Sequence, residues 1–198
     1  RYYELGPVSG TLNLDVYRSS FSEQVVAEYD DDPRAIVFRN IDGTSTSDNV
    51  MAEITGDIAP LLFRISYTFA DVYETRDGAH RSLPFVTRDR LLGVLTATSD
   101  DDAWLATFTA EWRGAQKLPV TTAYPEEFRL PESGDAYLLL HLHLQRSWEA
   151  FDLYVGAENL LDFRQDNPIL NAANPFQPYF EPGFAWGPVK GREVYAGI

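Results

Sequence analysis

Hydrophobic and polar residues alternate along most of this chain. In the clearest run, residues 104–113, one set of alternate positions reads Trp, Ala, Phe, Ala, Trp and the other reads Leu, Thr, Thr, Glu, Arg. Successive side chains of a β-strand point to opposite faces, so a repeat of two residues indicates a strand. The run therefore predicts a strand with one apolar and one polar face.

The same repeat recurs in other stretches, and only residues 91–98 leave the phase ambiguous. The further apolar sets are Leu12, Leu14 and Val16; Val50, Ala52, Ile54 and Ile58; Phe63, Ile65, Tyr67 and Phe69; Leu138, Leu140, Leu142 and Leu144; and Phe151, Leu153, Val155 and Ala157. Aromatic residues make up 14% of the chain and favour strands over helices. The pattern predicts an all-β protein of about eight strands, at residues 10–30, 34–58, 61–75, 88–99, 103–115, 136–147, 150–161 and 191–198. The first two are long enough to project beyond a membrane.

The predicted connections alternate in length. Tight turns at Ala59-Pro60, Asp100–Asp102 and Trp148-Glu149 are separated by long connections, at residues 75–87, 114–135 and 162–190. Outer-membrane barrels alternate in this way, with short periplasmic turns and longer extracellular loops. Such a barrel also carries aromatic girdles, which the Trp residues at both ends of the 104–113 run would supply. We therefore predict an antiparallel transmembrane β-barrel segment, whose strands need only about ten residues each instead of the 18 or so of a membrane-spanning helix.

Charge and cysteine content narrow the function classes. The formal net charge is −14 and the pI about 4.5, which argues against nucleic acid as a partner because phosphate-binding surfaces need clustered Lys and Arg. Two acidic clusters, Asp30–Asp32 and Asp100–Asp102, are expected to be solvated turns, with a metal site or a high-salt habitat as alternatives. The chain has no cysteine, which excludes disulfides, thiolate nucleophiles and cysteine-based zinc sites. No cofactor is predicted.

Three polar side chains are predicted to face the lumen of the barrel. His141 and His143 share the polar face of one strand, and Glu158 lies on the polar face of another. Two imidazoles so placed could begin a metal site, but the sequence offers no evident third ligand. Acid–base catalysis by Glu158 would need a facing partner and a pocket, and no serine lies in a nucleophile elbow. We expect lumen lining, with neither a catalytic nor a metal site.

The long connection at residues 162–190 combines prolines with aromatic residues. Prolines stiffen a loop, and aromatic rings give it a surface for stacking or apolar contact. A ligand could use that surface, or the rings could fold the loop onto itself and its neighbours. The candidate ligand-binding residues are Phe163, Phe176, Tyr179, Phe180 and Trp186.

Several segments resemble the last third of the barrel of a TonB-dependent receptor, especially the receptors common in Bacteroidetes. Residues 153–162 (LYVGAENLLD) are similar to the family's GxENLLD segment, and residues 186–198 resemble the approach to its final strand. Residues 14–18, 40–43, 167–169, 175–176 and 178–180 also fit. The family's aromatic terminus, its amino-terminal plug and its TonB-contacting segment have no counterpart here. The resemblance thus implies the carboxy-terminal part, residues 1–198, of a barrel of about 22 strands, with the chain beginning inside a longer protein.

The resemblance also implies a function and a location. It predicts a receptor in the outer membrane of a Gram-negative bacterium that binds a scarce nutrient and imports it with energy from TonB. Its expected partners are membrane lipid, its own plug domain, the TonB complex and a nutrient, which could be siderophore-bound iron, cobalamin, a metal complex or a glycan. Two alternatives stay open: an outer-membrane barrel enzyme of the esterase or protease type, and a soluble β-sandwich that binds a ligand.

Overall fold

A computed structural model describes residues 1–28, 37–40, 43–76 and 79–198. The strands among these residues are β1 Tyr2–Leu5, β2 Val8–Ser22, β3 Val25–Glu28, β4 Val37–Asn40, β5 Gly43–Ile58, β6 Leu61–Arg76, β7 Ala79–Ser82, β8 Asp89–Thr98, β9 Trp104–Arg113, β10 Gln116–Lys117, β11 Ser133–Gly134, β12 Tyr137–Ser147, β13 Asp152–Glu158 and β14 Glu193–Gly197. The described helical structure is one 3-10 turn at Glu126–Phe128, and no described helix has the length and apolarity to cross a membrane.

The principal sheet confirms the predicted all-β, antiparallel fold. Ten strands form it, in the order β1-β2-β5-β6-β8-β9-β12-β13-β14, with β7 paired to β6. All neighbours are antiparallel and follow chain order, as in an up-and-down barrel wall, and the sheet is open between β1 and β14. Two small hairpins, β3-β4 and β10-β11, lie outside it. A sandwich of two packed large sheets is therefore wrong for this chain.

Several strands and boundaries differ from the sequence prediction, among them the short strands β7, β10 and β11 inside predicted connections. Strand β1 was not predicted, because four residues are too few to show alternation; it joins β2 through a turn at Gly6-Pro7, where Gly6 has a φ of +62°. The predicted strand at 10–30 ends at Ser22, since Glu23 turns the chain with a φ of +58°, and β3 then pairs only with β4. The strand predicted at 34–58 is likewise two strands, β4 and β5. The acidic cluster Asp30–Asp32 lies outside the described residues.

The register confirms which residues of β2, β5, β6, β9, β12 and β13 were predicted to share the apolar face, and it resolves the ambiguous strand β8. Leu95 of β8 lies between Phe63 of β6 and Phe108 of β9, so residues 91, 93, 95 and 97 belong to the apolar face. Phe108 pairs in turn with Leu142 of β12. The apolar face therefore continues from strand to strand, through Leu12, Leu14, Val16, Val50, Ala52, Ile54, Ile65, Leu91, Leu95, Leu140, Leu144, Val155 and Val194.

The height of the apolar face matches a bilayer. Trp104 and Trp112 mark its two ends on β9, and each is about two-fifths exposed (40% and 37%). The eight residue-to-residue steps from Trp104 to Trp112 span about 27 Å along the strand, or about 21 Å across a membrane for strands tilted by about 40°. This is close to the apolar band of about 25 Å on outer-membrane barrels.

All long connections lie at one end of the principal sheet. The tight connections are residues 6–7, 59–60, 99–103 and 148–151, and the long ones are residues 23–42, 77–88, 114–136 and 159–192. Because the strands are antiparallel and in chain order, this alternation puts the two kinds at opposite ends. The predicted tight turns are confirmed, and Gly6-Pro7 adds one more.

Candidate ligand-facing surface

On the polar face of the sheet, polar side chains of neighbouring strands form pairs. Thr11 and Thr55 lie 2.7 Å apart at their hydroxyl oxygens, and Thr96 and Thr107 lie 3.3 Å apart. Arg64 Nε lies 3.7 Å from a carboxylate oxygen of Glu53. These neutral and ionic pairs are exposed or half-buried, so this face is hydrophilic and suits a water-filled lumen.

His143 belongs to an aromatic cluster on the polar face. Its Nδ1 atom lies 3.1 Å from the hydroxyl of Tyr195, and its ring stacks on Tyr154 and Tyr195 at 5.8 and 6.0 Å. Gly156 lies between them: a Cβ atom there would be 2.2 Å from Cζ of Tyr195. Glycine therefore makes room for the ring, and three strands contribute to one polar aromatic surface.

His141 and Glu158 lie on the same polar face as His143, as predicted. Glu158 is exposed at the end of β13 and pairs in register with Glu193, whose carboxylate accepts a hydrogen bond from Lys190 Nζ at 3.1 Å. The described residues bring no three His, Asp or Glu side chains together for a metal, and no described serine hydrogen-bonds to a histidine. What the face offers is a set of hydrogen-bonding and stacking groups.

The connections before β8, after β9 and after β13 pack together into one body, which we term the loop cap (residues 83–87, 114–136 and 159–192). The buried hydrophobic residues among the described ones lie in or against it: Leu118, Tyr124, Tyr137 and Phe184. Leu118 donates its backbone N–H to Glu132 O at 3.1 Å, and Phe85 donates to Lys117 O at 2.9 Å. The cap thus has a small hydrophobic core, while the sheet has none on either face.

Aromatic stacking joins the loop cap to the sheet at Tyr137, the first residue of β12. Phe163 stacks on the Tyr137 ring at 4.9 Å with an interplanar angle of 11°, and Trp186 lies 6.2 Å from the same ring. Trp186 also covers Gly134, where a Cβ would lie 2.6 Å from the indole. Phe163 and Trp186, two of the predicted ligand-binding residues, therefore support the cap from within.

Buried amide side chains hold the backbone of the loop cap. Gln165 accepts hydrogen bonds from the backbone N–H groups of Trp186 (2.6 Å) and Gly187 (2.9 Å) through Oε1. Gln116 donates from Nε2 to Trp186 O at 2.6 Å. Asn159 donates from Nδ2 to Phe163 O, and its Oδ1 accepts a hydrogen bond from the Phe163 N–H. An unpaired buried backbone N–H is costly, so these amides stabilise a connection that has almost no regular structure. The roles of Gln116 and Gln165 could not be predicted from the sequence, because their partners are distant along the chain.

The middle of the last long connection forms a finger, residues 170–181. It is closed by a pair of backbone hydrogen bonds between Leu170 and Glu181, at 3.1 and 3.2 Å. Phe176 at its tip is 98% exposed. Tyr179 packs on Phe128 at 5.5 Å and on Tyr124 at 5.1 Å, and Phe180 is half-buried. Three predicted ligand-binding residues therefore share the finger, and Phe176 is the one that is free of packing.

The carboxylate of Asp162 joins the two ends of the last long connection, residues 159–192. Asp162 Oδ1 accepts hydrogen bonds from the backbone N–H of Arg192 at 2.7 Å and from Arg164 at 3.0 Å. These bonds, the first above all, hold the pKa of the Asp162 carboxyl below its usual value. The Arg192 guanidinium donates to Leu160 O at 2.6 Å. The two ends of the connection are therefore joined where it leaves and re-enters the sheet.

Solved structures of three receptors share the fold. No family model and no curated protein matches the chain. The ferric-catecholate import receptor Fiu of Escherichia coli K12 aligns with a TM-score of 0.62 and 14% identity, over 96% of this chain and 24% of Fiu. FpvA of Pseudomonas aeruginosa, in a complex with a ferric pyoverdine, aligns at 0.64 and 16%, over 98% and 25%. The siderophore receptor PirA of Acinetobacter baumannii aligns at 0.63 and 14%, over 98% and 30%.

These alignments extend over nearly the whole chain. The fold of the chain is thus that of a barrel segment in such receptors, which agrees with the predicted fold class. The chain spans between 24% and 30% of the length of these three proteins.

Proposed function

We propose that this chain forms part of the barrel wall of an outer-membrane receptor that imports a nutrient into a Gram-negative bacterium. The observation that carries the proposal is the pairing of a continuous apolar face with a hydrophilic one, in a sheet whose long connections all lie at one end. Its likeness to receptor barrels supports it. The rest of the barrel, a plug domain and the segment that contacts TonB belong in this proposal to the full-length protein outside residues 1–198.

Ferric siderophores are the nutrient class to test first. The similar structures are an import receptor for a ferric catecholate, a receptor in complex with a ferric pyoverdine and a siderophore receptor. Cobalamin, other metal complexes and glycans are the alternatives that the sequence leaves open. Relationship to the receptors of Bacteroidetes stays a prediction from residues 153–162.

We assign the candidate residues two roles. Phe176, Tyr179 and Phe180 present aromatic surface on the finger and contact the ligand, since large, rigid aromatic rings give contact area at little entropic loss. Phe163 and Trp186 act on binding by holding the cap against Tyr137. His141, His143 and Glu158 line the lumen, where they meet the plug or the passing ligand.

Radioiron uptake by cells tests this function. A strain that lacks the gene is complemented with the full-length protein and given radioiron bound to a catecholate, a hydroxamate or a mixed siderophore. Uptake of at least one chelate should depend on both the gene and a functional TonB. Uptake that is unchanged in the strain lacking the gene, for every chelate and for labelled cobalamin and glycan, would overturn the proposal.

A pair of variants tests the finger. Phe176→Ala should raise the half-saturating concentration of the transported chelate about tenfold, the effect of losing one well-placed aromatic contact. Val189→Ala removes another exposed apolar side chain (58%) from the same connection, outside the finger, and should change nothing. Equal effects at both positions would refute a specific role for the finger.

A further inference from the structure

One cation interrupts the apolar face near its tight-turn end. Arg146 follows Leu142 and Leu144 on that face of β12, and its register partners are Trp104 in β9 and Leu153 in β13. Among the described strands, it is the only charged residue of that face between mid-height and the tight turns. A charge on a lipid-facing surface is disfavoured unless it reaches the interface or finds a partner.

The Arg146 guanidinium is held in place by aromatic rings and not by an ion pair with the described residues. Its Cζ atom lies 4.8 Å from the ring centroids of both Trp104 and Trp148, and Trp148 stacks on Phe151 at 4.8 Å. Two cation–π contacts restrict where the guanidinium can point. It forms no ion pair with a described carboxylate, and its Nε atom is buried without a hydrogen-bond partner.

The carboxylate of Asp101 attracts Arg146 electrostatically but forms no ion pair with it. Asp101 in the neighbouring tight turn accepts hydrogen bonds from the Ser99 hydroxyl at 2.5 Å and from the Ala103 N–H at 3.2 Å. Arg18 shows the contrasting case on the same face at the opposite end. It binds Asp48 through two donors, one of them Nη2 at 2.7 Å from Oδ2. Arg18 is thus an ion-paired arginine, whereas the N–H groups of Arg146 donate no hydrogen bond to a carboxylate of the described residues.

The surroundings of Arg146 fit a phospholipid. Leu144, Leu153 and Val155, exposed by 37%, 47% and 46%, form an apolar surface beside it on the membrane side. Trp residues concentrate at the level of lipid headgroups, and a planar guanidinium binds phosphate oxygens in pairs. We propose that Arg146, Trp104 and Trp148 bind the headgroup phosphate of an anionic phospholipid in the leaflet that borders the tight turns. This inference rests on the proposed membrane location, not on the nutrient.

Lipid titration followed by native mass spectrometry tests the site. The full-length protein in detergent is titrated with phosphatidylglycerol and separately with phosphatidylcholine. Arg146→Gln should weaken the tightest phosphatidylglycerol binding about tenfold, which is the loss of one charge-assisted contact. Arg18→Gln is the matched control and should leave it unchanged. Arg146→Lys keeps the charge without the two-pronged geometry and should bind with intermediate affinity.

Three outcomes would overturn the inference. One is unchanged phosphatidylglycerol binding by an Arg146→Gln variant whose heat-modified mobility on gels shows that it is folded. If that variant does not fold, an Arg146→Lys affinity for phosphatidylglycerol equal to that of the wild type would overturn the inference instead. The second is an equal loss in Arg18→Gln. The third is complete displacement of the lipid by millimolar inorganic phosphate, which would indicate a small-anion site. A protein that stays soluble without detergent would refute the proposed location itself, whereas failure of nutrient uptake would leave this result untouched.

Discussion

Arginine substitutions at two neighbouring positions of β12 distinguish the lipid-facing side of the sheet from the lumen side. Leu142 lies on the apolar face, is 46% exposed, and pairs with Phe108 of β9 and Ala157 of β13. His143 lies on the polar face against Tyr195. The backbone is the same at both positions, so the comparison isolates the environment of the new charge.

The register sets the expected size of the effect. Leu142 is four residues from each end of the band, since Arg146 pairs with Trp104 and Leu138 pairs with Trp112. That is about 14 Å along the strand in either direction, which places position 142 near the middle of the bilayer. Arginine at the midplane of a barrel costs about 2–4 kcal/mol. His143→Arg loses one hydrogen bond, worth about 0.5–1.5 kcal/mol, but its charge stays in water.

Urea titrations of the full-length protein in lipid vesicles measure both free energies of unfolding. We expect Leu142→Arg to be less stable than His143→Arg by about 2 kcal/mol. Leu142→Ala separates loss of packing from the charge and should be much milder than Leu142→Arg. Equal losses at the two positions, or a larger loss at His143, would show that the phase of β12 is wrong, and Phe108 and Val155 would then need reassignment with it.

Three further predictions follow from the connections, the glycine contacts and the Asp162 carboxylate. Protease sites inserted at Glu126 and Asn174 of the full-length protein should be cut on intact cells, and one at Asp101 only after the outer membrane is permeabilised; the opposite pattern would invert the topology. Gly156→Ala should destabilise the protein by about 1–3 kcal/mol, because its Cβ would lie 2.2 Å from Tyr195, and adding Tyr195→Ala should remove most of that loss in the same urea titration; additive losses would contradict the contact. The hydrogen bonds to the Asp162 carboxylate should be intact above the ordinary carboxyl pKa of about 4 and lost as the pH falls through the lowered pKa of the folded state. The rate of proteolysis within residues 159–192 should therefore rise at acid pH. Asp162→Asn should abolish this pH dependence of proteolysis.

Strand phase was predictable from the sequence because it is a local property. A residue on the apolar face meets lipid or a side chain of its own face whichever strand lies beside it, so each run such as 104–113 carries its own phase. Residues 91–98 were the exception. Their apolar set contains Gly93 and Ala97, while Leu92 and Val94 lie on the polar face, so hydrophobicity alone gives no contrast. Only pairing of Leu95 with Phe108 resolves them.

Breaks and packing in the connections were not predictable in this way. The strand predicted at 10–30 breaks at Glu23, where the backbone enters a left-handed conformation that no glycine or asparagine signals. The aromatic residues of the last connection could be identified from the sequence, but not which of them support the cap and which are exposed. Phe163 and Phe176 have the same side chain but different surroundings. Phe163 stacks on Tyr137 and supports the cap, whereas Phe176 contacts none of the described rings and is exposed at the tip of the finger.

The distribution of burial argues for lipid as the solvent of the apolar face. Leu91, Phe108, Leu142 and Val155 lie on four different strands, and their exposed fractions are similar, at 43%, 39%, 46% and 46%. A protein partner would need a shaped surface with anchor residues, and apolar patches larger than a few hundred Å² are rare on soluble monomers. Hydrocarbon needs no such shape and tolerates a face that is uniformly apolar between two levels of tryptophan. The buried hydrophobic residues of the described part of the chain lie instead in and against the loop cap. The cap lies outside the proposed membrane, where a chain surrounded by water requires a core. Hydrophobic side chains are therefore exposed on the sheet and buried in the loop cap. The change between these two regions lies near Trp112 and Tyr137, where the strands leave the proposed membrane.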